Sequence, residues 1–89
     1  MTTPYLEVTY RVGRPFAAYY YLPRRADQKS SRTQRVEPGM VIDFAADGQA
    51  IGIEITAPDL LSLLDLNAVL ERLGHAPATE ADLAPVLAA

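Results

Sequence analysis

Residues 40–57 read MVIDFAADGQAIGIEITA, two strings of alternating large apolar residues on either side of Asp47-Gly48. Asp-Gly favours the positive backbone angles of a tight turn, so the stretch predicts a β-hairpin. With those two residues at the turn, Met40, Ile42 and Phe44 face Ile55, Ile53 and Ile51, and one side of the hairpin is wholly apolar. A slip of one residue would turn every one of those side chains to the other face, so the pattern specifies its own register. Asp43 and Glu54 fall together on the opposite side. Gly52, between two isoleucines, predicts a close backbone approach or a bulge.

Upstream, Leu6, Val8, Tyr10 and Val12 alternate with Glu7, Thr9 and Arg11, the period of a half-buried strand. Gly13-Arg14-Pro15 breaks it, and Phe16 to Leu22 is apolar and aromatic on both faces, which predicts an interior strand paired with the first. Pro23 ends that strand. Arg24 to Arg32 is polar, basic and without periodicity, and reads as a mobile loop; Thr33 to Val36 is a short third strand before Glu37-Pro38-Gly39 turns the chain.

Beyond Ile55 the period changes from two to that of a helix. Thr56-Ala57-Pro58-Asp59 combines a cap candidate, a proline near the first helical position and an acid in the first turn. Leu60, Leu61, Leu63 and Leu64 form one apolar stripe, and Leu66, Val69, Leu70 and Leu73 another, displaced by roughly 150° at about 100° per residue. One straight helix cannot turn both toward one sheet. Either the helix breaks near Asp65-Leu66-Asn67, with Asp65 capping a second piece that stops at Gly74, or one unbroken helix offers Leu66, Val69, Leu70 and Leu73 to a partner. Thr79-Glu80-Ala81-Asp82 starts a last helix bearing Leu83, Val86 and Leu87, which Pro85 limits to about one turn.

The fold expected is therefore α+β: an antiparallel meander of four or five short strands, with C-terminal helices packed on its apolar face. Eighty-nine residues at 49% hydrophobic content suit a single domain, sheet over 6–57 and helices over 58–89. No apolar run approaches the roughly 18 residues of a membrane span, and Met1-Thr2-Thr3-Pro4 lacks the basic and apolar regions of a secretory leader, so a soluble cytoplasmic protein is expected. The absence of cysteine excludes disulfide, thiolate and cysteine-ligated zinc chemistry. The net charge of −3 is unevenly spread: residues 24–35 carry Arg24, Arg25, Lys29, Arg32 and Arg35 against Asp27, whereas residues 36–58 and 59–89 are each net −4.

The hairpin also carries a resemblance. Val41-Ile42-Asp43, Asp47-Gly48 and Ile51-Gly52-Ile53-Glu54-Ile55 are similar to the hallmark of a small prokaryotic family, domain of unknown function 2283, which reads roughly v-v-D-y-D-e-d-G-r-i-v-G-I-E-I. The similarity runs from about Leu6 to Ala57, and Ala17-Ala18-Tyr19-Tyr20-Tyr21-Leu22 looks like the family's D-a-L-Y-I-r-L strand. Phe16 stands where that strand has its acid, Arg11 follows Tyr10 where an acid is usual, and Ala45 replaces another. If the family's acids form an ion-binding site, this chain has lost most of it. The resemblance implies no established activity; some members are encoded beside small ribonuclease-like toxins, which implies an antitoxin-like role by analogy.

No catalytic, cofactor or metal site is expected. Asp43, Asp47 and Glu54 are the only clustered carboxylates, and two hard-oxygen ligands without a paired histidine make a weak magnesium or calcium site and a worse zinc site. Asp47 with Gly48 reads as the turn, and Asp43 and Glu54 as solvated charges on an open face. The sole histidine, His75, follows the Gly74 helix stop with no nucleophile motif beside it. The leading expectation is a non-enzymatic interaction module that pairs with itself or offers its acidic helical tail, residues 59–89, to a small basic protein. The alternative is nucleic-acid binding through Arg24, Arg25, Lys29, Arg32 and Arg35 beside the three tyrosines, and a third is a small-ligand or metal site in a polar pocket holding Asp43 and Glu54.

Overall fold

The computed structural model describes residues 3–87. Five strands, β1 (Tyr5–Arg11), β2 (Arg14–Tyr21), β3 (Arg32–Val36), β4 (Met40–Phe44) and β5 (Ala50–Ile55), are followed by a 3₁₀ turn (Pro58–Leu60), α1 (Leu63–Arg72) and α2 (Glu80–Leu87). All strand pairs are antiparallel, in the order β1-β2-β5-β4-β3. The α+β class holds, but the sheet is not strictly a meander. β3, β4 and β5 follow one another, and β5 then inserts beside β2, so that β2 has neighbours on both sides as its two-faced apolar sequence requires. The segment between β2 and β3 consequently crosses the ends of β5 and β4.

The β4–β5 register agrees with the alternation at one end only. Met40 faces Ile55 and Ile42 faces Ile53, but Phe44 faces Ala50, not Ile51, because a bulge separates Asp43 from Phe44. The cause is the turn, which is longer than two residues. The Gly48 N–H donates to the Ala45 carbonyl (2.9 Å) and the Ala45 N–H to the Gln49 carbonyl (2.8 Å). Within this turn only Gly48 has a positive φ (+90°), the arrangement of a three-residue loop ending in a left-handed glycine. Asp47 Oδ1 accepts from the Gln49 N–H at 2.9 Å, which closes the turn from the side.

A true two-residue loop occurs in the first hairpin instead, where Val12 (φ +52°) and Gly13 (φ +76°) join the paired Arg11 and Arg14. Val12 is β-branched and 97% exposed, and the left-handed region costs such a residue about 1–2 kcal/mol. Val12→Asn is expected to raise stability by about 1 kcal/mol, read as a higher urea midpoint at unchanged slope. An unchanged midpoint would show that Val12 is not strained.

One face of the sheet is the core wall. Ala18, Tyr20, Met40, Ile42, Ile53 and Ile55 pack against Leu61, Leu66, Val69, Leu70, Leu83 and Val86, with Leu6 and Val8 at the margin. The helical segment does break, but at Leu61-Ser62, earlier than Asp65. Ser62 Oγ accepts the Asp65 N–H at 3.0 Å, so Ser62 and not Asp65 is the cap. The restart rotates the second stripe onto the sheet. Leu66, Val69 and Leu70 are thus buried and Leu73 half-buried against them, which corrects the expectation of a partner interface there. Leu60 and Leu64, 58% and 80% exposed, are the ones left outside. Truncation before Leu66 would remove part of the core, so the helices are not a detachable tail.

α1 stops as expected at Gly74 (φ +77°), with the Gly74 N–H donating to Glu71 and the His75 N–H to Leu70. Asn67 then clamps the next segment, donating to the Ala78 carbonyl (3.1 Å) and accepting its N–H (2.8 Å). α2 opens with a reciprocal cap between Thr79 and Asp82 and runs two turns rather than one, with Pro85 on its exposed side.

Candidate functional site

The face away from the helices is open. Pairing sets Tyr5 opposite Tyr21, Glu7 opposite Tyr19, Tyr19 opposite Glu54, and Gly52 between Tyr21 and Asp43. These side chains are exposed or half-buried, and they form a row that crosses four strands. The Tyr5 and Tyr21 rings stack at 4.5 Å and 13°, and the Tyr19 ring tilts against Tyr21 at 4.6 Å. Tyr19 lies across Gly52, where any Cβ would overlap its ring, and its hydroxyl donates to Asp43 Oδ2 at 2.6 Å. The Tyr21 hydroxyl donates to Glu7 Oε1 at 3.1 Å, and the Arg24 guanidinium stands 5.5 Å over the Tyr21 ring.

Two phenols of the row hold their protons more tightly than a free tyrosine. Burial first, then the bond to Asp43, pushes the Tyr19 phenol far above its ordinary range. Burial and then Glu7 raise Tyr21 in the same direction. Both are therefore neutral donors at physiological pH and unsuited to serve as bases. What the face presents is ring surface flanked by Glu7, Asp43 and Glu54, an environment attractive to cations.

The remaining residues singled out in the sequence are dispersed. Asp47 is at the turn, away from Asp43 and Glu54, and among the described residues no group of three His, Asp or Glu side chains could hold a metal ion. The loop after β2 is tethered, contrary to the mobile loop expected. Gln28, 8% exposed, donates to Asp47 (3.2 Å) and Gln49 (3.0 Å) and accepts the Arg25 N–H (2.8 Å), while Gln49 donates to the Pro23 carbonyl (3.2 Å). Its cations do not gather into one patch. Arg25 is within 3.4 Å of Asp27 and 3.8 Å of Asp47; Arg32 lies 4.1 Å over the Phe44 ring; Arg35 is 3.8 Å from Glu37. Lys29 lines a shallow groove of about 420 Å³ with Arg25, Ser30 and Ser31, and Arg24 and Arg25 line a pocket with Tyr5 and Tyr21. His75 lines a groove with Asn67 and Glu71. The link from Tyr19 to Asp43 was not readable in the sequence, since it needs β2 beside β5; Gly52 was the available signal.

Residues 17–57 match the model of a family described as protein of unknown function (DUF2283). That segment is similar to the DUF2283 family. Comparisons with curated proteins and with solved structures gave no match. The DUF2283 segment starts later than the expected Leu6 and comprises most of β2 together with β3, β4 and β5. Tyr19, Tyr21, Asp43, Gly52 and Glu54 lie inside it; Tyr5 and Glu7, contributed by β1, lie outside, as do α1 and α2. Among the described residues no helix is long and apolar enough to cross a membrane.

Proposed function

We propose that this protein is a non-catalytic binding module that captures a basic protein segment on its tyrosine face, in the manner of an antitoxin that neutralises a small basic partner. The observation that carries this reading is the row Tyr5, Tyr21 and Tyr19 flanked by Glu7, Asp43 and Glu54 on an uncovered sheet. Lysine and arginine side chains gain from both ring faces and carboxylates. The acidic helices are the weaker candidate, because Asp82 is used as a cap and Asp65 and Glu80 sit in the first turns of α1 and α2, where the helix dipole already engages them. A nucleic-acid role through Arg24, Arg25, Lys29, Arg32 and Arg35 has less support, since four of the five lie beside carboxylates or over a ring.

The test is fluorescence anisotropy with a labelled lysine- and arginine-rich peptide. Glu54→Lys, at an exposed position, should weaken binding about tenfold, and Leu64→Asp on the helices should leave it unchanged. Equal affinity of Glu54→Lys and the parent would overturn the reading. So would a single-stranded oligonucleotide that displaces the peptide and depends on Arg24 and Lys29.

A further inference from the structure

We propose that two copies of this chain join along their β1 edges into one continuous sheet, antiparallel and centred on Val8. The strand order leaves two edges, β1 and β3. β3 is guarded: it has five residues, carries Arg32 and Arg35, and is followed by Pro38. β1 is not guarded. It has seven residues without proline or lysine, and the irregularity at Thr9/Tyr10 places its extra residue, Phe16, on β2. Its helix-side residues are also incompletely covered, with Leu6 and Val8 half-buried at the margin of the core and Tyr10 54% exposed. A residue of this kind gains from a neighbour on the open side.

The sequence of β1 selects the partner and the register. Edge pairing of two identical antiparallel strands places the two-fold axis along the sheet normal, which keeps both sets of helices on one side. Centring on Glu7 would oppose two carboxylates directly. Centring on Thr9 would leave Tyr5 and Leu6 without a neighbour. Centring on Val8 uses all seven residues: Leu6 meets Tyr10, Glu7 meets Thr9 with Arg11 and the second Glu7 diagonal to it, and Tyr5 meets Arg11. Tyr5 ends the aromatic row at the edge, 50% exposed, with Tyr21 stacked on it from within its own chain. Arg11 is already held 4.5 Å over Phe16, so little further ordering is needed for it to stand against Tyr5 of the second copy. The dimer would thereby extend the tyrosine face of each copy by a residue from the other, although the pairing does not depend on what that face binds.

Mass in solution, measured by sedimentation over a range of concentrations, is the first readout. The parent chain should be a dimer, Arg11→Glu should weaken the dimer about tenfold, and Glu7→Arg combined with Arg11→Glu should restore it. Cysteine substitution supplies the register, since the chain has no cysteine of its own. Val8→Cys should link on oxidation, because directly opposed residues lie about 4.5–5.5 Å apart. Leu6→Cys should not link, its copies being displaced by about 13 Å. A monomer at every concentration would leave the edge to a strand of another protein and overturn the proposal. A dimer that ignores Arg11→Glu, or links through Thr9→Cys in preference to Val8→Cys, would overturn it too.

Discussion

Leu66→Ala should lower the free energy of unfolding by about 2–5 kcal/mol, while Leu64→Ala, two residues away, should change it by less than about 0.5 kcal/mol. The contrast tests the least obvious feature of the fold. Both leucines lie in one apolar run, and helical periodicity alone gives each a claim on the sheet. The break at Leu61-Ser62 decides between them: Leu66 is fully buried against the sheet, and Leu64 is 80% exposed. For a domain of this size, whose whole stability lies near the low end of about 5–15 kcal/mol, the loss at Leu66 would leave a detectable unfolded population at room temperature. Urea unfolding of the two variants suffices to measure it. A larger loss at Leu64 than at Leu66 would mean that the helix presents its other stripe to the core.

The contrast also marks where the sequence is legible. Strands came from period-two alternation, and Met40 to Ile55 paired as that alternation requires except at the turn. There the Asp-Gly signal was right in kind and wrong in length, because Ala45 and Gln49 could also pair and so left only Gly48 left-handed. The neighbour of β2 was not legible, since adjacency of β2 and β5 is a long-range choice that local pattern does not encode. The two leucine stripes announced a break but not its place. Ser62 and Asp65 are both good caps, and Ser62 prevailed because starting there turns Leu66, Val69 and Leu70 inward together. The basic loop looked mobile because Gln28, its anchor, is a residue type seldom buried, and its partners Asp47 and Gln49 lie about twenty positions on.

Gly52→Ala should be the most damaging single methyl group on the open face. Its Cβ would overlap the Tyr19 ring, and the ring cannot yield without drawing its hydroxyl away from Asp43, 2.6 Å distant. Overpacking of this kind costs about 1–3 kcal/mol, and loss of a hydrogen bond to a charged acceptor adds a comparable amount. The phenol provides a second, independent readout. In the folded chain burial and Asp43 hold Tyr19 protonated well above the ordinary tyrosine range. Its contribution is therefore fully present below about pH 10 and is lost as pH rises beyond it, where the unfolded chain ionises first. Freed from its place over Gly52, Tyr19 would ionise at lower pH, and the alkaline fall in stability attributable to it would shrink. Tyr19→Phe should reproduce the flatter alkaline profile without the steric loss. Ultraviolet titration of the phenols, with unfolding midpoints on either side of pH 10, separates the two effects. A Gly52→Ala protein with parental stability and an unchanged phenolate titration would show that Tyr19 does not lie across Gly52 in solution, and the continuity of the aromatic row from Tyr5 to Asp43 would fall with it.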